Sequence, residues 1–492
     1  MSKGNWIAGE WRKPPADGHL VSVNPAKPEE IIDELDVSLT AVDEAVDAAT
    51  SAWHSWRLLS FDQRATFLLE LKDRITKNAA ALAQAITRDS GKALWEAHTE
   101  VAALRGKIDI TLADGRADIA EHKLADGSFV RHRPHGPMAV IGPFNFPLSL
   151  SHGHIVPGLL AGNTIVLKPS EQTPYVAEKY AELFDHFPKG VFNLVQGAGD
   201  IGEKVATHPG IHGVLFTGSY KVGRALTLAC IDQAHKILVL EMGGKNATVV
   251  SEECDWKLAL YETCFSAFVT TGQRCTASSR LILVGSADFA ERFSNEVVRV
   301  ASALSIGDPL APTTFMGPLV SARARDGFVA ATTELASACE VLLAARAPEG
   351  FFVSPQIVRA GVSVSGAGSG AVGARFLREE IFGPQLSIFH ARDRDEAISI
   401  ANDTDYGLAM SVFCRERAEF ERYLELSRVG ILNWNKGTVG ATGKLPFGGI
   451  GKSGNFRPAG LYSGRSCTYP VATVIGEALP KADAMPPGFP TL

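Results

Sequence analysis

The sequence predicts an α/β chain, with a doubly wound, mostly parallel sheet followed by a second α/β unit. Three observations carry that prediction. Between Met138 and Thr217 short apolar runs alternate with helical periodicity, the pattern of a parallel sheet covered by helices. The apolar run Ile237-Leu238-Val239-Leu240 then ends on Glu241, and Gly243 and Gly244 break it. That is the mark of a buried strand delivering a carboxylate at its carboxyl end. After Glu241 the alternation begins again. At 492 residues the chain exceeds what one core supports, so two or three domains are expected.

Taken in order, residues 38–115 are mainly helical. Val42, Ala45, Val46 and Ala49 are spaced for one helix face, and residues 61–77 form a longer helix carrying Phe67, Leu68, Leu71 and Ile75. Residues 128–135 alternate apolar and basic side chains, as an exposed strand does. Residues 138–146 read as a buried strand ending in a turn, and residues 159–169 as a turn and then a second strand. Helix 174–184, strand 190–195, helix 201–208 and strand 213–217 continue the alternation. A dinucleotide belongs at the carboxyl edge of such a sheet. In the second unit we expect strand 281–284, helix 287–304, strands 341–344 and 385–390, and a helix beginning at 397–402. The Gly/Ser/Ala stretch 362–373 is expected to be a loop. Residues 466–475 read as a strand, and the Pro-rich tail 478–492 is expected to be loosely ordered.

Composition narrows the function. Charged residues make up 21% and hydrophobic residues 46%, ordinary for a soluble globular protein. A net charge of −6 gives no reason to expect nucleic-acid binding. No run of 18 apolar residues suggests a membrane span, and the first residues lack an apolar stretch of signal-peptide type. Seven scattered cysteines show no metal-ligand spacing, so no metal and a reducing cytoplasm are expected.

Cys275 closes the segment Thr270-Thr271-Gly272-Gln273-Arg274, whose small and polar residues suit a turn. A thiol in such a turn and a carboxylate at a strand end make a nucleophile and a base. Two G-x-G-x-x-G strings occur. Gly368 to Gly373 has no good helix after it and is set aside. Gly197 to Gly202 follows a strand and opens a helix, but the next strand lacks the acidic residue that would hold a ribose.

EMGGKN at Glu241 and GQRCTASSR around Cys275 resemble the aldehyde dehydrogenase superfamily, and the resemblance runs from about Trp6 to beyond Arg457. It implies a Rossmann-type NAD-binding domain (1–118 and 136–241), an α/β catalytic domain (242–460) and a small β oligomerisation arm (119–135 and 461–480). It implies a homodimer or homotetramer acting on a small-molecule aldehyde. Cys275 would be the nucleophile, Glu241 the base that activates water, and Asn145 with the Cys275 N–H the oxyanion donors. Lys168 would organise charge around NAD. The cofactor would lie against Ile141, Gly142, Pro143 and Phe144, with Lys168, Ser170 and Glu171 at the adenosine ribose. Gly199 and Gly202 would line the adenine pocket, though a simple turn explains them equally. Phe216, Thr217, Gly218, Ser219 and Gly223 would face the pyrophosphate, and Gly243, Glu380 and Phe382 the nicotinamide end. A carboxylate at Glu171 repels a 2′-phosphate and so favours NAD over NADP. Residues 91–101 resemble a helix pair that the family packs beside its site; an ordinary surface helix is equally good physics.

RHRPHGPMAVIGPFNFP, FNLVQG, NWNK and PFGGIGKSGNFRP resemble a subfamily that oxidises N-succinylglutamate 5-semialdehyde on the arginine succinyltransferase route. Its substrate's carboxylates call for cations, with Arg274, Lys436 and Arg457 as candidates and Thr276, Asn433 and Phe447 alongside. Each cation could instead be a structural pair or a surface charge. Phe456 stands where the resemblance leads one to expect His, so glutamate or succinate semialdehyde stays open as substrate. Relatives that pass the acyl group to coenzyme A lack a glutamate at Glu241, and an inactive relative would lack Cys275, Glu241 or Asn145. All three are present.

Overall fold

A computed structural model describes residues 2–13, 17–361, 374–476 and 486–490. The 362–373 stretch, with its G-x-G-x-x-G string, and most of the 478–492 tail lie outside the described residues. Two seven-stranded sheets dominate. The first runs Ile237–Glu241, Gly213–Thr217, Pro137–Ile141, Thr164–Lys168, Phe192–Leu194, Asn5–Ile7, Glu10–Arg12. Its first five strands are parallel. The strand order reverses between Pro137–Ile141 and Gly213–Thr217, which marks the crevice at their carboxyl ends as a binding place. The amino-terminal residues Asn5–Ile7 extend this sheet as an antiparallel strand against Phe192–Leu194.

Only Met242 to Lys245 separate the end of this sheet from Asn246–Ser251, a strand inside the second sheet. That sheet runs Glu340–Leu343, Gln356–Arg359, Gln385–Ala391, Ser278–Val284, Asn246–Ser251, Ala409–Phe413, Ile431–Trp434. All its pairings are parallel except the one to Glu340–Leu343. The chain therefore passes from the carboxyl edge of one sheet to the amino edge of the next, and the turn bearing Cys275 precedes Ser278–Val284 at that same edge.

Helices Thr40–Trp56 and Phe61–Lys77 bury the faces that the periodicity marks, including Val42, Ala45, Val46, Ala49, Leu68, Leu71 and Ile75. Full burial of one such Leu or Ile contributes about 1.5–3 kcal/mol. Ser60 caps the second helix in a capping box with Gln63. One expectation needs correction: residues 159–161 are not a turn but the end of helix Ser149–Ala161. This helix is buried on nearly every side from Ser151 to Ala161, so it has no polar face to reveal a period, and Pro157 within it disguises it further. Gly162, at φ 103°, terminates it.

The strand at residues 128–135 is Phe129–Pro134, and that at 466–475 is Thr468–Thr473. They pair antiparallel with each other in a small third sheet with His122–Lys123. No helix of the described residues is long and apolar enough to cross a membrane.

Candidate active site

A cavity of about 640 Å³ opens at the carboxyl edge of the first sheet and reaches Asn145 and Cys275. Its wall includes Ile141, Gly142, Pro143, Phe144, Lys168, Ser170, Glu171, Gly199, Gly202, Phe216, Thr217, Gly218, Ser219, Gly243, Glu380 and Phe382. Every cofactor residue expected from the sequence lies there except Gly223. That glycine is not in the wall: a Cβ on it would come within 2.5 Å of the Met242 sulfur. It lets Met242, which does line the cavity, pack closely.

The donor set fits a dinucleotide. Helix Tyr220–Ala229 starts at the cavity, capped by the Ser219 hydroxyl, and helix Gly199–Thr207 starts there with no side-chain cap. Amino ends of helices attract phosphate through their free N–H groups and dipole. Lys168 is buried in the wall, and its Nζ lies 3.3 Å from Glu171 Oε2. Burial pushes the Lys168 pKa down, against the attraction of Glu171. At the far end Phe144 and Phe382 meet edge to face with centroids 5.8 Å apart.

Glu380 sits over the glycines of EMGGKN. Its Oε1 accepts from the Gly244 N–H at 2.9 Å, and a Cβ on Gly243 would lie 2.1 Å from its Oε2. Burial pushes the Glu380 pKa up to about 7, while the Gly244 N–H and the charge of Lys245 oppose that rise. Lys245 is itself fully buried with no hydrogen-bond partner on Nζ among the described residues, and its pKa is driven down to about 7 by burial and by Arg280.

Cys275 is half-buried. Burial, then the charges of Glu380 and Glu241, push its thiol up to about 12, with Arg274 and the Thr276 N–H pulling the other way. Its N–H donates to no backbone acceptor among the described residues. Its carbonyl accepts from Asn246 Nδ2 at 2.7 Å, and Gly244 admits that carbonyl because a Cβ would lie 2.5 Å from it. Asn145 is buried and gives one amide hydrogen to the Gln273 carbonyl at 2.9 Å, two residues before Cys275. Its second amide hydrogen remains for a ligand.

Glu241 ends its strand nearly fully buried. Its Oε1 accepts from the Ala459 N–H at 3.2 Å, and Oε2 has no partner among the described residues. Burial holds its carboxyl well above the usual range. The segment around Gly454 and Ala459 folds over it, anchored by Asn455, which bonds Leu238 and Leu240 on the same strand.

The expected substrate residues are dispersed. Arg274 is paired with Glu96 at 2.9 Å rather than open to a ligand. Thr276 is buried, and Asn433 donates to the Gly437 carbonyl. Phe447 is half-buried in a short antiparallel pairing with Ala459. Lys436 and Arg457 are exposed and form no ion pair among the described residues. Sequence reasoning missed Glu96, Glu100, Asn246, Lys245 and helix Ala322–Ala336, whose Ala324, Phe328 and Ala331 line the cavity. The spacing of Phe328, Ala331, Thr332 and Leu335 was a legible signal for that helix; for Glu96 and Glu100 the signal was the resemblance of residues 91–101 to a helix pair packed beside the site.

Comparison with known proteins agrees with this geometry. Residues 11–472 match the model of the aldehyde dehydrogenase family. The chain is 39% identical to an N-succinylglutamate 5-semialdehyde dehydrogenase of Chromobacterium violaceum, over 99% of this chain and 98% of that one. It is 38% identical to the enzyme of the same name from Hahella chejuensis, with the same coverage. A 1-pyrroline-5-carboxylate dehydrogenase from Thermus, solved with bound NAD, superposes with a TM-score of 0.88 at 30% identity, covering 96% of this chain and 92% of that one. The chain belongs to the aldehyde dehydrogenase family.

Proposed function

We propose that the protein oxidises N-succinylglutamate 5-semialdehyde to N-succinylglutamate with NAD and water. The observation that carries the reading is Cys275 and Asn145 in one cavity wall, with Glu241 near enough for its charge to act on the Cys275 thiol. Cys275 Sγ, as its thiolate with the proton released to solvent, attacks the aldehyde carbon and forms a thiohemiacetal. The developing oxyanion is held by the second amide hydrogen of Asn145 and the Cys275 N–H. A nicotinamide bound in the cavity supplies the hydride acceptor. Loss of hydride from carbon leaves a thioester on Cys275. Glu241, made more basic by burial, takes a proton from water as that water attacks. The acid leaves and the thiol is restored.

Glu171, 40% exposed at the cavity wall, supports NAD over NADP, because a carboxylate there repels a 2′-phosphate. The two relatives named for this aldehyde support the substrate, and so do Arg457 and Lys436, cations left for its carboxylates once Arg274 is engaged. The arm strand Thr468–Thr473, with exposed Tyr469, supports a homodimer or homotetramer. The test is kcat/KM for succinylglutamate, glutamate and succinate semialdehydes and propanal, each with NAD and NADP. The reading predicts the succinylglutamate compound with NAD to be best. A preference for propanal overturns the substrate, and a preference for NADP overturns the role of Glu171.

A further inference from the structure

Two charged pairs lie buried beside the nucleophile, outside the chemistry just described. Glu96 and Glu100, on helix Leu94–Ile110, are each 1% exposed, and Lys92 in the segment before them is 4% exposed. Lys92 Nζ lies 2.5 Å from Glu100 Oε2. Glu100 Oε1 accepts from the N–H groups of Leu148 and Ser149, each at 3.0 Å, and so closes the amino end of helix Ser149–Ala161. Glu96 Oε1 accepts from Arg274 Nη2 and from the Thr270 hydroxyl, which itself accepts from Arg274 Nε at 2.6 Å.

Between the two pairs sits Phe146, the neighbour of Asn145. Lys92 Nζ lies 3.7 Å from its ring centroid and the Arg274 guanidinium 4.9 Å from it. A desolvated cation near an aromatic ring is held firmly, and here one ring is held by two. The turn that Glu96 grips is strained. Thr270, Thr271 and Gly272 all have left-handed backbones, at φ 57°, 55° and 67°. Such φ values are rare for β-branched residues and persist only where the surroundings enforce them. Thr270 is held by Glu96 through its hydroxyl, and Thr271 donates to the Gly317 carbonyl at 2.8 Å. A void of about 10 Å³, room for one water, is bounded by Glu96, Asn145 and Gln273, and Glu96 Oε2 has no other partner among the described residues.

We propose that Glu96 is a positioning residue, which with Lys92 and Glu100 fixes the Cys275 turn against the Asn145 segment and so sets the oxyanion site. This rests on the reading of Cys275 as nucleophile and Asn145 as donor. It assigns Arg274 to the same device and removes it from substrate recognition. The consequence is selective. Attack by Cys275 depends on the spacing the device sets, whereas Glu241 is held by Ala459 and the strand it ends. Misplacement of a reacting group by about 1 Å costs roughly 100-fold in rate.

The test is rapid mixing of the full-length enzyme with NAD and either propanal or a carboxylate-bearing semialdehyde. Glu96→Gln and Thr270→Val are compared with Thr270→Ser and the parent. Thr270→Val leaves every charge in place, so it answers even if Glu96→Gln folds poorly. The expected result is an NADH burst whose rate constant falls about 100-fold in Glu96→Gln and Thr270→Val, equally for both aldehydes. The burst amplitude per folded chain and the NAD affinity stay at parent values, and Thr270→Ser restores the rate. Parent-like burst rates in both variants overturn the proposal. So does a smaller amplitude at an unchanged rate constant, which means only fewer folded chains. A loss confined to the carboxylate-bearing aldehyde overturns it in favour of Arg274 as a substrate cation. A Cys275→Ser enzyme that still bursts overturns the nucleophile reading beneath it.

Discussion

The two sides of Cys275 are built from different materials. On the cofactor side the wall is strand ends, glycine turns and helix starts, with Lys168 buried and Glu380 half-buried in it. On the side of the expected substrate residues, Lys436, Phe456 and Arg457 are exposed loop residues, Phe456 being 79% exposed. The first side is set by backbone geometry of a kind few substitutions preserve, whereas the second can change without disturbing either sheet. On the proposed reading, chemistry is rooted in the core and substrate choice is carried by exposed residues.

If that contrast holds, effects of substitution should fall off from the Cys275 end of the cavity to the rim. Cys275→Ser should lose aldehyde oxidation to background while NAD binding, followed by fluorescence quenching, persists. Asn145→Ala should lower kcat by about 100- to 1,000-fold, the typical effect of removing one oxyanion donor. Its NAD affinity should remain, which steady-state kinetics and titration together check.

Glu380→Gln should act through pH. The Glu380 pKa is raised from 4.5 to about 7, so the stability it contributes is fully present below pH 4.5 and is lost as pH rises through about 7. Denaturant melts of the cofactor-free parent should therefore lose stability across pH 4.5–7. The Gln variant should lack that share of the slope and bind NAD more weakly above pH 7. The smallest effect should come from Arg457→Ala. An exposed cation is worth about 1 kcal/mol or less, so KM for a carboxylate-bearing aldehyde should rise roughly fivefold. KM for propanal should not move. A larger effect would mean that substrate buries Arg457 and that the rim is less independent than drawn.

The same divide decides what the sequence reveals. Helix Phe61–Lys77 and strand Gly213–Thr217 match their expected bounds because each has one buried face or a short apolar run between turn signals. Helix Ser149–Ala161 is hidden by being buried almost all round. The residues of the cavity wall were named through the family resemblance, whose motifs are local: a strand, a glycine and a helix start lie within a few residues. The pairing of Arg274 with Glu96 spans 178 residues and follows from no local pattern, so Arg274 read equally well as a substrate cation. Strand Asn246–Ser251 escaped notice because it begins directly after the glycines that mark the site.

The central claim is the division of labour between Cys275 and Glu241, and one experiment reaches it directly. Glu241→Gln keeps the shape of the buried carboxyl and removes its basicity. Mixed rapidly with NAD and aldehyde, this variant should release about one NADH per active chain at the parent's burst rate and then stall. Its steady-state rate should fall by roughly 100- to 10,000-fold, the usual worth of a general base, because the thioester forms and is not hydrolysed. Turnover at the parent rate would show that Glu241 is not the base and would contradict the account.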